Sequence, residues 1–256
     1  MRILITNDDS ISAEQLLPLV RYCKKLGEVT VAVPAVEQSA KSHGIELHKP
    51  FCVKKQLLDE DVVTYVIDST PADCMRYVIL GLEERFDLVI SGVNRGLNMG
   101  SDILYSGTVS AVREAVLQGI PAIALSTTPE NYQNATVHLD MVFDYINEHR
   151  LLDIHKAYNV NIPANPKGIK ITRQGGMYYS DGFVNVEGDM YLADGKCVYV
   201  PSDDLTLDTD ATISGYISIM PLSLNVTDMD VFNKLLELPS PCGEGGPLAV
   251  DEVVHI

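Results

Sequence analysis

Short aliphatic runs recur along the first half of the chain, at 2–7, 28–33, 62–68, 87–91 and 121–126, with helical stretches between most of them. That alternation is the strongest constraint on the fold, because runs apolar on both faces fit a parallel sheet covered by helices on each side. Ser12, Ala13, Glu14 and Gln15 spell a capping box, predicting a helix that lays Leu16, Leu19, Val20 and Cys23 along one face, carries Lys24 and Lys25 in its last turn and stops at Gly27. Thr70-Pro71-Ala72-Asp73 predicts a second helix start, with Thr70 as cap and Pro71 at the first helical position. A third helix is expected at 108–118, closed by Gly119.

Beyond Thr127 the pattern changes. A helix is expected at 136–150 with Val137, Met141 and Tyr145 on its apolar face, then strands at 158–162 and 168–173. The stretch 183–200 reads as a hairpin system with Asp194-Gly195 as its tight turn. Residues 202–210 read as a solvated acidic linker, 214–220 as a strand, and 230–236 as a last short helix. The expected architecture is α/β, a three-layer α/β/α core on a mostly parallel sheet with a hairpin excursion. Its organisation divides into a core over 1–130 and a carboxyl-terminal part over 131–256.

Composition narrows the function classes. A formal charge of −16 and a pI near 4.6 argue against a nucleic-acid polymer or an anionic membrane as partner. No apolar run is long enough to span a bilayer, and the amino terminus turns polar after Thr6, so a cytoplasmic protein is expected. Five scattered cysteines (23, 52, 74, 197 and 242) without a CxxC pair suit a reducing compartment and offer no zinc site. An anionic substrate would therefore need positive charge supplied locally.

The residues that follow the strands carry the chemistry, since ligands of parallel sheets bind at the strands' carboxyl ends. The strand at 2–7 runs into Asp8-Asp9, the strand at 28–33 leads toward Ser39, and the strand at 87–91 leads toward Asn94. Two neighbouring carboxylates repel unless a proton or cation lies between them. Oxygen donors without nearby His or Cys suit Mg²⁺, Mn²⁺ or Ca²⁺. An ordinary strand-end turn explains the Asp pair equally well when it is taken alone. The connection 91–108 is long and holds Gly92, Gly96 and Gly100, and Ser106-Gly107-Thr108 sits at a helix start, where free amides attract phosphate. His43 is a further candidate for phosphate contact or proton transfer, and Lys41 and Arg95 for contacts to substrate charge, with an exposed surface role as the simpler reading of each. No P-loop, GxGxxG or GxSxG motif competes.

Taken together, these stretches resemble the SurE family, the survival protein E or stationary-phase 5′/3′-nucleotidases. The matching pieces include Ile3-Leu4-Ile5-Thr6-Asn7-Asp8-Asp9, Gln38-Ser39, Thr70-Pro71-Ala72-Asp73-Cys74, the run from Ser91 through Gly100 and on to Tyr105-Ser106-Gly107-Thr108-Val109, Asn159-Val160-Asn161-Ile162-Pro163, and Gly215 to Leu222. The resemblance implies a Rossmann-like core with an extended hairpin and a carboxyl-terminal segment exchanged between subunits in a homodimer or homotetramer. It implies one divalent cation per subunit (Mg²⁺ or Mn²⁺, with Ca²⁺ able to take its place in crystals) held by Asp8, Asp9, Ser39 and Asn94. It implies hydrolysis of nucleoside 5′- and 3′-monophosphates, extending to short polyphosphate in some members. In that reading Asp8 and Asp9 are also the catalytic carboxylates, and Asn98, Ser106, Gly107 and Thr108 bind phosphate. Ser10, Ser69 and Met220 stand where the family usually has glycine, glycine and threonine. The alternative is a nucleotide-binding module without catalysis; a Rossmann-type group transferase lacks a recognisable donor site.

Overall fold

The computed structural model describes residues 1–238, which fall in a compact unit, Met1–Leu222, and the start of a second, beginning at Ser223. In chain order the first unit contains β1 (Arg2–Thr6), α1 (Leu16–Cys23), β2 (Glu28–Pro34), β3 (Val53–Leu58), β4 (Val62–Ile67), α2 (Pro71–Arg76), β5 (Leu88–Arg95), α3 (Gly107–Leu117) and β6 (Ala122–Thr127). It continues through α4 (Leu139–Glu148), α5 (Leu151–Ile154), β7 (Ala157–Ile162), β8 (Ile169–Ile171), β9 (Tyr179–Ser180), β10 (Phe183–Glu187), β11 (Met190–Ala193), β12 (Lys196–Cys197), α6 (Asp208–Ile213) and β13 (Ile217–Pro221). The second unit begins with α7 (Met229–Leu236), whose amino end is capped by Asp228 accepting from the Val231 amide at 3.0 Å.

Nine strands form one sheet in the order β3-β4-β2-β1-β5-β6-β7-β13-β8. The pairs from β4 to β7 are parallel, while β3–β4 and β7–β13 are antiparallel. Side chains of a strand alternate between faces, and the sequence uses that alternation to build two cores. Ile3, Ile5, Val29, Val31, Val33, Ile123 and Leu125 pack with α1, α4 and α5. Leu4, Ala32, Val89, Ala122, Ala124 and Ala157 face α2 and α3. The small alanines on that second face, met by Ala111 and Ala115 of α3, let the helix lie close to the sheet. Each large aliphatic side chain so buried is worth about 1.5–3 kcal/mol.

The strands follow the sequence pattern closely, but several local expectations are corrected. The Ser12 capping box does not form: α1 starts at Leu16 after two turns, with no side-chain cap, and the Ser12 amide instead donates to Ser10 Oγ at 3.3 Å. The apolar face of α4 is Leu139, Val142, Phe143 and Ile146, while Val137 and Met141 are exposed. Asp194-Gly195 is not a hairpin turn. Instead β9 pairs with β12 and β10 with β11, so 179–197 forms one long two-stranded arm that reverses at Gly188. The stretch 202–210 is not a solvated linker, because Asp208, Thr209 and Asp210 are buried at the start of α6. Strand β3, whose pattern Val-Lys-Lys-Gln-Leu-Leu is largely polar, is an exposed edge that hydropathy did not signal. Ser10, in place of the usual glycine, takes a φ of 79°, the left-handed region that glycine favours.

Candidate active site

Four loops at the carboxyl ends of β1, β2, β5 and β6 meet above the sheet and are stitched together by short bonds. The Gln38 amide donates to the Asp8 carbonyl at 2.8 Å, tying the loop after β2 to the loop after β1. The Ser42 amide and hydroxyl donate to the Tyr105 and Leu104 carbonyls at 3.0 and 2.7 Å, fastening that loop to the approach of α3. The Arg95 amide donates to Asp9 Oδ2 at 3.2 Å, closing the ring from β5. The cleft so enclosed has a volume of about 420 Å³.

The sequence-derived residues converge there. Asp8, Asp9, Ser39, Asn94, Asn98 and Ser106 all line the cleft. A register shift in β5 between Ser91 and Asn94 falls just before Asn94, at the strand's carboxyl end. Its Nδ2 donates to the Gly96 carbonyl at 2.8 Å, which leaves Oδ1 as a donor atom for a ligand. The Ser39 hydroxyl donates to Glu37 Oε1 at 2.6 Å, keeping its lone pairs available.

Gly107 and Thr108 stand differently. They lie against Asp8, not on the open cleft. Thr108 Oγ1 donates to Asp8 Oδ1 at 2.5 Å, and the nearby Gly107 and Thr108 amides favour the charged form of the same carboxylate. The amino end of α3 thus holds Asp8 in place, an arrangement favoured by the helix dipole. A Cβ on Gly107 would lie 2.8 Å from Asp8 Cβ, so only glycine admits this approach. Ser106 caps the helix by accepting from the Val109 amide at 3.1 Å.

Burial pushes the Asp8 carboxyl above its ordinary value, against the pull of its bonds to α3. Asp9 is pushed up to about 6, first by burial and next by the negative charge of Asp8. Glu37 adds to that repulsion. The Arg95 amide and charge offset this only in part, and a cation between the two carboxylates would relieve the remaining repulsion. Carboxylate, hydroxyl and carboxamide oxygens around one cleft fit a hard divalent cation. Among the described residues, no group of three or more His, Cys, Asp or Glu is placed to hold a metal.

His43 and Lys41 do not line the cleft. His43 Nε2 lies 3.0 Å from Glu114 Oε2, and Arg76 reaches the other oxygen of that buried carboxylate at 3.1 Å. Arg95 does line the cleft, and its guanidinium lies 5.9 Å from the centre of the Tyr132 ring. Glu14, Glu37, Asp102, Tyr105 and Tyr132 also line it. Sequence reasoning did not single these out, and Tyr132 had no available signal, since its loop follows β6 without a recognisable motif.

A family model described as survival protein SurE matches residues 3–181. The 5′-nucleotidase SurE of Thermosipho melanesiensis is 37% identical, over 93% of this chain and 97% of its own length. That of Thermoanaerobacter sp. (strain X514) is 39% identical, over 92% and 97%. The crystal structure of the SurE protein from Aquifex aeolicus superposes with a TM-score of 0.74 at 33% identity, covering 92% of this chain and 98% of that one.

Proposed function

The chain belongs to the SurE family, and we propose that it is a metal-dependent 5′-nucleotidase, releasing phosphate from nucleoside monophosphates in the cleft between β1, β2 and β5. The reading extends to 3′-monophosphates and short polyphosphate as secondary substrates. The observation that carries it is the adjacent Asp8–Asp9 pair, Asp8 buried and Asp9 half-buried, both carboxyls displaced upward, lining one cleft with Ser39 and Asn94. Asp8, Asp9, Ser39 and Asn94 would hold one Mg²⁺ or Mn²⁺. When bound, the cation supplies Lewis-acid polarisation of the phosphoryl oxygens and lowers the pKa of water.

The chain's own groups divide the remaining work. Asp8, fixed by the hydroxyl of Thr108 and the α3 amides, serves as an immobile ligand. Asp9 is less enclosed and takes the proton from the water that attacks phosphorus. Asn98, Ser106 and the Arg95 guanidinium at the cleft wall receive the phosphoryl oxygens as charge shifts onto them. Gly107 and Thr108 contribute through Asp8. The nucleoside then occupies the outer cleft beside Tyr105 and Tyr132.

No helix among the described residues is long and apolar enough to cross a membrane. The arm from β9 to β12 exposes Phe183, Val186, Met190, Tyr191 and Leu192, which supports a homodimer or homotetramer. The expected exchange of the carboxyl-terminal segment falls partly on 239–256, outside the described residues. The test is phosphate release from adenosine 5′-monophosphate. Turnover stops in EDTA and returns with Mn²⁺ or Mg²⁺; full turnover in metal-free buffer removes the reading. Asp8→Asn abolishes turnover, whereas a pure binding module would have none to lose.

A further inference from the structure

Behind the cleft lies a set of buried asparagines that the proposed chemistry does not use. Asn159 and Asn161 alternate along β7, both fully buried, on the face of the sheet that carries α3. Strand register sets Asn94 of β5, Ser126 of β6 and Asn161 of β7 in one row across three strands. The loop after β5 crosses above this row, and every polar atom of the Asn98 peptide is taken up by it. The Asn98 amide donates to Asn161 Oδ1 at 2.8 Å, and Asn161 Nδ2 donates back to the Asn98 carbonyl at 2.8 Å. A carboxamide facing a peptide in this way imitates one rung of a β-ladder. Asn159 Nδ2 donates to the same carbonyl at 2.7 Å. The Asn98 side chain is fixed in turn, its Nδ2 donating to Ser126 Oγ at 2.8 Å. An amide nitrogen has two hydrogens, so the second remains for a ligand in the cleft that Asn98 lines.

We infer that Asn161, with Asn159 and Ser126, is a positioning residue that sets the Asn98 side chain for the phosphoryl group. Two fully buried carboxamides in the middle of a strand are costly unless paired, and a sheet stabilised by burial alone would place aliphatic residues there. Among the described residues, none is hydrogen-bonded to Asn159 Oδ1, so the pair is not arranged for stability alone. What these residues hold in common is one peptide, that of Asn98. The inference deepens the proposed function and rests on its reading of Asn98 as a phosphate ligand.

The test uses the full chain with Mn²⁺, adenosine 5′-monophosphate as substrate and inorganic phosphate as competing inhibitor. Asn161→Ala lowers kcat/KM by about 10- to 100-fold, the range seen when a supporting hydrogen bond to a reacting group is lost. The phosphate inhibition constant rises in step, while the affinity for Mn²⁺, measured by calorimetry, stays the same. In the Asn98→Ala background, Asn161→Ala changes the phosphate inhibition constant no further, because it acts through a side chain already absent. If Asn161→Ala does not fold, Ser126→Ala carries the same cycle, removing only the hydroxyl that accepts from Asn98 Nδ2. Additive losses in either cycle overturn the inference, as does unchanged phosphate inhibition in the single variant. Unchanged phosphate inhibition in Asn98→Ala alone would instead sink the phosphate-ligand reading of Asn98.

Discussion

Gly107→Ala separates the packing of the site from its chemistry. The added methyl would sit 2.8 Å from Asp8 Cβ, 2.9 Å from Asp8 Oδ2 and 3.2 Å from Asp8 Cγ. Carbon atoms in contact prefer about 3.5–4.0 Å, so Asp8 and the α3 backbone must part by about 0.7–1.2 Å. Neither can yield easily: Thr108, Val109, Ala111 and Val112 are fully buried, and Asp8 is 4% exposed. Overpacking of this kind costs about 1–3 kcal/mol. Against it stands a gain of about 0.5–1 kcal/mol for alanine over glycine in a helix, available because Gly107 does not have a positive φ. The net loss of stability is therefore at most about 2.5 kcal/mol, a fall of roughly 5–10 °C in Tm for a chain of this size. A displacement near 1 Å of a catalytic group costs about 100-fold in rate. Activity should fall far more than stability, with weaker Mn²⁺ binding. Phosphate-release kinetics, calorimetric Mn²⁺ titration and a thermal melt measure the three quantities. Unchanged kcat/KM and Mn²⁺ affinity in a folded variant would refute the close approach of α3 to Asp8.

The metal-free protein should become more stable as pH falls from about 6 toward about 4, because Asp9 is raised from 3.8 to about 6 and the folded state takes up its proton first; that contribution is full below the unfolded pKa and lost as pH rises through 6. Asp9→Asn should flatten this part of the Tm-versus-pH curve, and a wild-type curve no steeper than the variant's would contradict the assignment. Asp208→Ala should cost about 3 kcal/mol or more in chemical denaturation, since it strips the acceptor from the Gly100, Gly175 and Thr209 amides, now held at 2.9, 2.7 and 2.8 Å. A loss below about 1 kcal/mol would mean that these amides find other partners.

The parallel core was legible because its strands are apolar on both faces, so Ile3-Leu4-Ile5 announces burial without help from the rest of the chain. Asp8 and Asp9 stood out by their place after the first strand, and the set completed by Ser39 and Asn94 came from the family resemblance. Long-range partnerships were hidden. Nothing near Asp208 in the sequence reveals that its carboxylate will accept from Gly100, 108 residues away, and so 202–210 read as solvated. Gly107 and Thr108 were legible as a helix start, but only the approach of β1 shows that a carboxylate of the chain itself takes up that amino end. The helix at 139–148 was placed with the wrong face inward because Val137 and Met141 are apolar yet lie outside the packed stripe. Periodicity gives a helix its stripe, and only packing says which stripe is covered.

On the role proposed for Asn161, the row formed by Asn94, Ser126 and Asn161 ties enzyme activity to correct strand pairing. Because neighbouring residues of a strand face opposite layers, a slip of one position in β6 or β7 would turn Ser126 or the asparagines into the aliphatic layer beneath α1 and α4. It would also bring Leu125 and Val160 under α3. A misregistered chain would thus bury carboxamides among hydrocarbons and lose the support proposed for Asn98 in the same event, so strand mispairing has no low-energy arrangement to occupy.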